Sequence, residues 1–182
     1  MQAPAPLRKP LALVFCDLAG TSQLTAKEGD LVASAVFREF YEHAGRLSGE
    51  HRSLTIKFIY DAFLSVFANI DDVMPFVISI ERLFSENPML VGRFAGFHLS
   101  LHYGEVVLIE TSYGREVLGD AVTVVAELNE VARALPPEIV VSQAALERMP
   151  NNYRQLAGPS EFYEFKRLGK IVEFHRISLA GR

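Results

Sequence analysis

The chain has 182 residues, of which 49% are hydrophobic and 22% are charged, a composition typical of a globular protein. Its formal net charge of -4 offers no basic field to a phosphate backbone, which argues against nucleic acid as a general partner. The single cysteine, Cys16, cannot form an internal disulfide, and the sequence has no His/Cys cluster for structural zinc, so we expect a reducing, cytoplasmic compartment.

The N-terminal segment has no apolar stretch of the length that a signal peptide or a bilayer span requires, so no membrane insertion is expected. Residues 1–10 contain three prolines and two cations, which predicts a flexible leader. Residues 11–182 are predicted to form a single domain.

Hydrophobic periodicity and turn residues predict strands and helices along the chain. The predicted elements are a buried strand over 11–16, a helix over 30–47, a hairpin over 54–67, a helix over 71–85, a strand pair over 94–110, a helix over 119–135, a strand over 139–142 and a hairpin over 162–178. The strand pair is expected to break at Tyr103-Gly104, where Gly104 permits a sharp turn or a close backbone approach. The pattern favours an α+β fold in which helices cover one face of a mostly antiparallel sheet.

Residues that start and stop helices accompany this pattern. After a glycine turn, Thr21 and Ser22 are predicted to cap a helix. Asp71 and Asp72 are predicted to cap the helix that Asn87-Pro88 ends.

Two carboxylates lie where a metal could be bound. Asp17 follows the buried strand 11–16, and Asp61 lies at the predicted tip of the hairpin, after Tyr60. Mg²⁺ prefers oxygen ligands, so two carboxylates on neighbouring strands suit a pair of ions about 3.5–4 Å apart. Either aspartate alone is more typical of a residue that ends a strand, but the two together with their surrounding sequences favour the metal site.

Four segments occur in a recognisable order: Phe15-Cys-Asp-Leu-Ala-Gly-Thr-Ser, Lys57-Phe-Ile-Tyr-Asp, His102-Tyr-Gly-Glu-Val and Gly119-Asp-Ala-Val-Thr. The first three resemble the motifs Phe-x-Asp-Ile-x-Gly-Phe-Thr, Lys-x-x-Gly-Asp and His-x-Gly-Glu-Val of class III adenylyl and guanylyl cyclase catalytic domains. The fourth, continuing through Glu138-Ile-Val-Val-Ser, resembles the helix and strand that follow in that family. The resemblance implies a ferredoxin-like α+β fold.

The resemblance also implies an activity. Members of the family are lyases that convert a nucleoside triphosphate into a 3′,5′-cyclic monophosphate and pyrophosphate on two Mg²⁺ or Mn²⁺ ions, in a site shared between two chains of a dimer. Asp17 and Asp61 would be the metal ligands, with the backbone carbonyl of Leu18. The phosphates would face the N–H groups of a helix N-terminus: Gly20, Thr21 and Ser22.

Two further positions concern the base. Lys57 matches the base-reading lysine of adenine-specific members, and Glu116 matches the second base-reading position, where the family usually has Asp. The pair favours ATP over GTP. An exposed loop glutamate beside Arg115 is an equally valid interpretation of Glu116.

The sequence departs from the family in the helix that reads Val-Asn-x-Ala-x-Arg. Thr123 replaces the Asn that orients the ribose, and Glu127 replaces the Arg that meets the growing phosphate charge. Losing one preorganised donor costs about 10² to 10³ in rate, and a carboxylate there also reverses the sign of the interaction. Tyr60 replaces a hairpin glycine, where its side chain would obstruct Asp61 or force a different turn.

Two other pairs of residues have suggestive spacings. Asn129 and Arg133 repeat the Asn/Arg spacing six positions later, but six residues of helix direct them to another face, so Arg133 is expected to be a cation at a helix C-terminus. His98 and His102 lie on a predicted strand, where four residues span about 13 Å, too far for one ion. Both histidines are therefore expected to be partly buried strand residues.

The sequence leaves two hypotheses open. In the first, the protein is a weak or impaired homodimeric cyclase acting on ATP in signal transduction. In the second, it is a catalytically inactive cyclase-like module that dimerises or regulates. Such a module would bind nucleotide, or be active only as a heterodimer whose other chain supplies the Asn and Arg.

Overall fold

In the computed structural model, residues 7–134, 139–165 and 169–179 are described. The strands are β1 (Leu7–Ala19), β2 (Ser53–Ile59), β3 (Ala62–Phe67), β4 (Gly96–Thr111), β5 (Gly114–Leu118), β6 (Ile139–Ser142), β7 (Glu161–Phe165) and β8 (Lys170–Ile177). The helices are α1 (Thr21–Glu28), α2 (Asp30–Glu50), α3 (Val73–Glu86), α4 (Asp120–Arg133), α5 (Gln143–Leu146) and α6 (Asn151–Arg154). Within these ranges, none of the helices combines the length and the apolar character that crossing a membrane requires.

The eight strands form one sheet in the order β2-β3-β1-β4-β6-β8-β7, with β5 paired to β4 outside this path. The described strand pairs are antiparallel except for β4 and β6, which run parallel. The predicted α+β class with a mostly antiparallel sheet is therefore confirmed. The strand β1 lies between β3 and β4, so both of its edges are hydrogen-bonded.

The sheet is covered on both faces, which corrects the prediction that helices lie on one face. Along β1, alternate residues point in opposite directions. Ala12, Val14 and Cys16 pack in the core formed with α2 and α3, whereas Leu11 and Leu13 pack in the core beneath α4. The continuous apolar run 11–16 requires cover on both sides because its two faces are equally hydrophobic.

Several predicted boundaries changed. β4 continues unbroken through Tyr103-Gly104, and β5 lies between the predicted strand pair and the predicted helix, where no strand was expected. Residues 7–10 belong to β1 because they pair with β4, so that part of the predicted leader is a strand; residues 1–6 lie outside the described residues. The hairpin turn at Tyr60-Asp61 and the strand 139–142 are confirmed, as is the last hairpin, although residues 166–168 at its turn are not described.

The predicted cap of α1 is wrong, whereas the cap of α3 is confirmed in position, since Asp72 is its N-cap residue. The side chain of Asp72 makes no cap hydrogen bond, and both Thr21 and Asp72 have more distant partners. The N-cap of α1 is Gly20, and the Thr21 hydroxyl donates instead to Asp61. Ahead of α3, the side chain of Asn69 accepts from the backbone N–H of Asp71, while Asp72 pairs with Arg52. These side chains join separate elements.

Gly104 permits close approach of β4 and α4. A Cβ atom at this position would lie 2.9 Å from the Cβ of Ala121 and 2.8 Å from Nε2 of His102. A tightly packed interior accommodates such overlap only by shifting its neighbours, at about 1–3 kcal/mol. We therefore expect Gly104→Ala to lower the free energy of unfolding by about that amount in urea denaturation.

Gly45 is the matched control. It lies within α2, where in the described structure a Cβ would meet nothing within 4 Å outside its own helix. Gly45→Ala should raise the free energy of unfolding by about 0.5–1 kcal/mol, because alanine loses less backbone entropy in a helix. Similar effects of the two substitutions would contradict the close packing of β4 on α4.

Candidate functional site

Asp17 and Asp61 lie side by side at one end of the sheet. Asp17 stands opposite Ala62, the residue after Asp61, in the β1–β3 register. The backbone N–H of Leu18 donates to the carbonyl of Asp61 over 2.9 Å. Asp17 is 4% exposed, and Asp61 is partly buried. The structure thus brings together the two carboxylates that the sequence singled out.

Arg133 holds the carboxylate of Asp17 at both oxygens. Its Nε lies 2.8 Å from Oδ2, and its Nη2 lies 2.7 Å from Oδ1. Its third nitrogen, Nη1, lies 3.2 Å from the carboxylate of Glu130, one turn earlier in α4. Arg133 does lie in the last turn of α4, but this ion pair joins residues 116 positions apart, and sequence spacing gave no signal for it.

The electrostatics of Asp17 show why a cation is needed there. Burial raises the pKa of the Asp17 carboxyl above its usual value, and the charge of Asp61 adds to the rise, while the hydrogen bonds and charge of Arg133 lower it. The hydrogen bond to Asp17 in turn raises the pKa of Arg133. A buried carboxylate beside a second one is costly to ionise without a cation in contact.

Asp61 is oriented by the loop after β1. The hydroxyl of Thr21 donates to Oδ2 of Asp61 over 2.8 Å, so the start of α1 contacts the hairpin tip. Thr21 follows Gly20, whose φ of 86° lies in the left-handed region that favours glycine. At this position a Cβ would lie 3.1 Å from the backbone N of Ala95. Gly20 thereby lets the chain turn from β1 into α1 immediately beside the two carboxylates.

Tyr60 keeps the tight turn that glycine would make. Its φ is 54°, a conformation that costs a residue with a side chain about 1–2 kcal/mol. Its ring packs on Phe37 with centroids 5.4 Å apart, and its carbonyl accepts from the hydroxyl of Tyr41 over 2.6 Å. Tyr60 was expected either to obstruct Asp61 or to force a different turn. Because its backbone adopts the left-handed conformation that favours glycine, Tyr60 does not force a different turn.

Lys57 and Glu116 form an ion pair. Nζ of Lys57, in β2, lies 2.5 Å from Oε1 of Glu116, in β5. Next to it, Nη1 of Arg115 donates to the carbonyl of Leu54 over 3.0 Å, which holds β5 against β2. Glu116 is therefore a strand residue with a cationic partner, and the loop interpretation is wrong.

Helix α4 carries the positions that depart from the family pattern. Thr123 and Glu127 are both partly buried. One carboxylate oxygen of Glu127 is buried without a hydrogen-bond partner in the described part of the chain. Asn129 points to the sheet, where its amide donates to the carbonyls of Phe15 and His98 over 3.3 and 3.0 Å. Asn129 and Arg133 therefore serve the sheet side of α4, as the helical spacing indicated.

The two histidines are strand residues, as expected. His98 stands opposite Asp17 in the β1–β4 register, and Nδ1 of His102 lies 2.9 Å from the hydroxyl of Ser142. Burial lowers the pKa of His102 to about 4. Across residues 7–134, 139–165 and 169–179, no group of three or more His, Cys, Asp and Glu side chains could hold a metal ion. A metal at Asp17 and Asp61 would need backbone, phosphate or water oxygens as well.

The fold is similar to that of solved adenylyl and guanylyl cyclases. The guanylyl cyclase Cya2 gives a TM-score of 0.77 at 15% identity, covering 100% of this chain and 98% of that one. The catalytic core of a rhodopsin-guanylyl cyclase with converted specificity, in complex with ATPalphaS, gives 0.82 at 14% identity, covering 95% and 98%. The adenylyl cyclase CyaB from P. aeruginosa gives 0.75 at 11% identity, covering 98% of each chain. No protein-family model and no curated protein sequence matches the chain.

At these identities the similarity establishes the fold alone. The class III cyclase fold implied by the four motifs is therefore confirmed over nearly the whole chain. The roles of Asp17, Asp61, Lys57 and Glu116 stay predictions from the motifs and the geometry.

His102 makes the stability of the domain dependent on pH. Because its pKa is lowered from 6.5 to about 4, its stabilising contribution is complete above pH 6.5 and is lost as the pH falls toward 4. The loss should approach about 3 kcal/mol. His102→Gln should be less stable than wild type at pH 7 but lose less stability on acidification. Urea denaturation from pH 4 to 7.5 measures both, and parallel curves for the two proteins would contradict this assignment.

Proposed function

We propose that the chain is a nucleotidyl cyclase domain that binds ATP with divalent ions at Asp17 and Asp61. It would form 3′,5′-cyclic AMP and pyrophosphate weakly as a homodimer. The observation that carries the proposal is the juxtaposition of the two carboxylates at the end of β1, beside the start of α1. That juxtaposition lies in a fold similar to those of solved cyclases.

The donor set fits Mg²⁺ or Mn²⁺. Both side chains offer oxygen ligands, and the backbone carbonyl of Leu18 lies next to Asp17, so hard cations are favoured over softer metals. When bound, two such ions neutralise triphosphate charge and lower the pKa of a coordinated hydroxyl. Arg133 opposes metal binding at Asp17, because its positively charged guanidinium already contacts both carboxylate oxygens.

The surrounding residues supply binding and orientation. The hydroxyl of Thr21 fixes the rotamer of Asp61 through its 2.8 Å hydrogen bond. The N–H groups that begin α1, at Thr21 and Ser22, provide the partial positive charge that suits phosphate. These residues would position a triphosphate beside the carboxylates.

The pair of Lys57 and Glu116 supports adenine as the base. An amine donor and a carboxylate acceptor that lie 2.5 Å apart can address the neighbouring ring-nitrogen acceptor and amino donor on the adenine edge. Guanine presents its acceptor and donor on that edge in the opposite order. The match of both residues to the base-reading positions of the adenine-specific motif therefore favours ATP.

Two residues of α4 support weak activity. Thr123 keeps a hydroxyl but lacks the amide of the family Asn, and Glu127 places negative charge where phosphate charge would grow. Each lost donor costs about 10² to 10³ in rate. The nearby Asn129 and Arg133 are committed to the sheet and to Asp17, so they do not compensate.

The same observation supports a second candidate. Because the carboxylate pair and the Lys57–Glu116 pair coexist with Thr123 and Glu127, the chain is suited to a heterodimer in which another cyclase chain supplies the Asn and Arg. Alone, it would then bind nucleotide without turning it over.

Restoring the two α4 side chains tests the proposal. The double variant Thr123→Asn with Glu127→Arg should raise cyclic AMP formation with Mn²⁺ and ATP by about 10²-fold, because a donor and a cation return to the growing charge. Adding Asp17→Asn should abolish the gain. An unchanged rate in the double variant, with nucleotide binding intact, would contradict the roles proposed for positions 123 and 127. Activity of the wild-type chain only after addition of a cyclase chain that has the Asn and Arg would favour the heterodimer. Wild-type activity that survives Asp17→Asn would contradict the metal assignment.

The base assignment has its own test. Lys57→Ala should reduce the ability of ATP, relative to GTP, to displace a fluorescent nucleotide analogue in the presence of Mn²⁺. The matched control is Lys170→Ala, which removes an exposed ion pair in which Nζ lies 2.8 Å from Oδ2 of Asp120. An ATP preference equally reduced in both variants would contradict base reading by Lys57.

A further inference from the structure

Arg133 and Asp17 differ in how freely they can move. The side chain of Asp17 is 5% exposed, whereas that of Arg133 is 45% exposed. Asp17 lies in a strand hydrogen-bonded along both edges, and Arg133 lies in the last turn of α4. The carboxylate is therefore fixed, and the guanidinium can leave it by rotation about side-chain bonds.

A second acceptor is already in place for Arg133. Glu130, with 62% of its side chain exposed, lies 3.2 Å from Nη1. An arginine that leaves Asp17 would retain this carboxylate and gain solvent, with no change in the backbone of α4. Moving the guanidinium of Arg133 away from Asp17 therefore costs little free energy on the side of the arginine.

The contacts of Arg133 use the oxygens that a divalent ion would require. Its two nitrogens lie at 2.8 and 2.7 Å from Oδ2 and Oδ1, and it also experiences the charge of Asp61. A guanidinium and a divalent cation at the same carboxylate repel each other strongly, and burial weakens solvent screening. Both cannot occupy Asp17 with full contact.

We infer that Arg133 is a built-in competitor for the metal, an intramolecular counter-ion that must leave Asp17 before a divalent ion binds there. This inference rests on the proposed function, since it presumes that Asp17 is a metal ligand. In this role, Arg133 determines the concentration of divalent ion that is needed to occupy the site at Asp17. It also explains how a buried carboxylate pair is stable in a chain that has not yet bound metal.

A purely structural ion pair leads to a different expectation. Removing the arginine would then lower stability and leave metal affinity unchanged or weakened. Competition instead predicts a gain of affinity on loss of a side chain. The two roles are therefore separated by measuring metal binding rather than activity.

The test measures Mn²⁺ binding to the full chain in the absence of nucleotide. The concentration of free Mn²⁺ is monitored by electron paramagnetic resonance. Arg133→Met should bind Mn²⁺ about tenfold more tightly than wild type, since the ion no longer displaces a cation. In EDTA the variant should melt at a lower temperature than wild type, and saturating Mn²⁺ should remove most of that difference. Equal Mn²⁺ affinity in the two proteins would overturn the inference.

Two controls keep the outcome interpretable. Arg46→Met makes the same change in net charge at an exposed pair with Glu50 and should leave Mn²⁺ affinity unchanged. If Arg133→Met does not fold, Arg133→Lys replaces it in the test. A single ammonium group cannot contact both oxygens of Asp17 as the guanidinium does, so the Arg133→Lys protein should still bind Mn²⁺ more tightly than wild type. Affinity no tighter than wild type in the lysine variant would then overturn the inference.

Asp17→Asn distinguishes this inference from the proposed function. Suppose that wild type and Arg133→Met bind Mn²⁺ with equal affinity, and that adding Asp17→Asn to either protein removes the binding. The metal site at Asp17 is then supported, and only the competition by Arg133 is overturned. If Mn²⁺ binding survives Asp17→Asn in both backgrounds, the ion is bound elsewhere. Both the proposed site and the inference are then overturned.

Discussion

The buried carboxylate of Asp17 is the constraint on which the site depends. The strand that carries it is covered on both faces, so a side chain at its end is enclosed by the sheet and by α4. An anion at 4% exposure with a second carboxylate beside it must contact a cation, because the surrounding protein solvates charge poorly. Metal binding and the Arg133 ion pair are two solutions to the same electrostatic demand.

Helix α4 connects the two ways in which this site differs from the family pattern. On its sheet side, Asn129 and Arg133 bind backbone carbonyls and Asp17. At the positions that would meet the substrate, Thr123 and Glu127 replace a donor and a cation. The positive charge of Arg133 thus acts on the protein's own carboxylate. Under the proposed function, this contact would weaken metal loading, and Glu127 would weaken charge stabilisation.

Sequence reasoning was most successful where local patterns determine structure. The apolar run before Asp17 and the hairpin at Tyr60-Asp61 were placed correctly, and these two predictions bring the carboxylates together. The ion pair of Arg133 with Asp17 was missed because it depends on the packing of α4 across β1, which spacing along the chain does not encode. The cap assigned to Thr21 failed for a related reason, since its hydroxyl binds Asp61 rather than its own helix.

The fold of this protein and its proposed activity depend on different numbers of residues. Identities of 11–15% with the solved cyclases suffice to retain the sheet, because a core tolerates substitutions that keep volume and pattern. The proposed chemistry would depend on a few side chains, and in that proposal the reversed charge at Glu127 outweighs the agreement of the rest. For this reason the proposed function depends on which cation contacts Asp17, a property of one carboxylate that overall similarity does not determine.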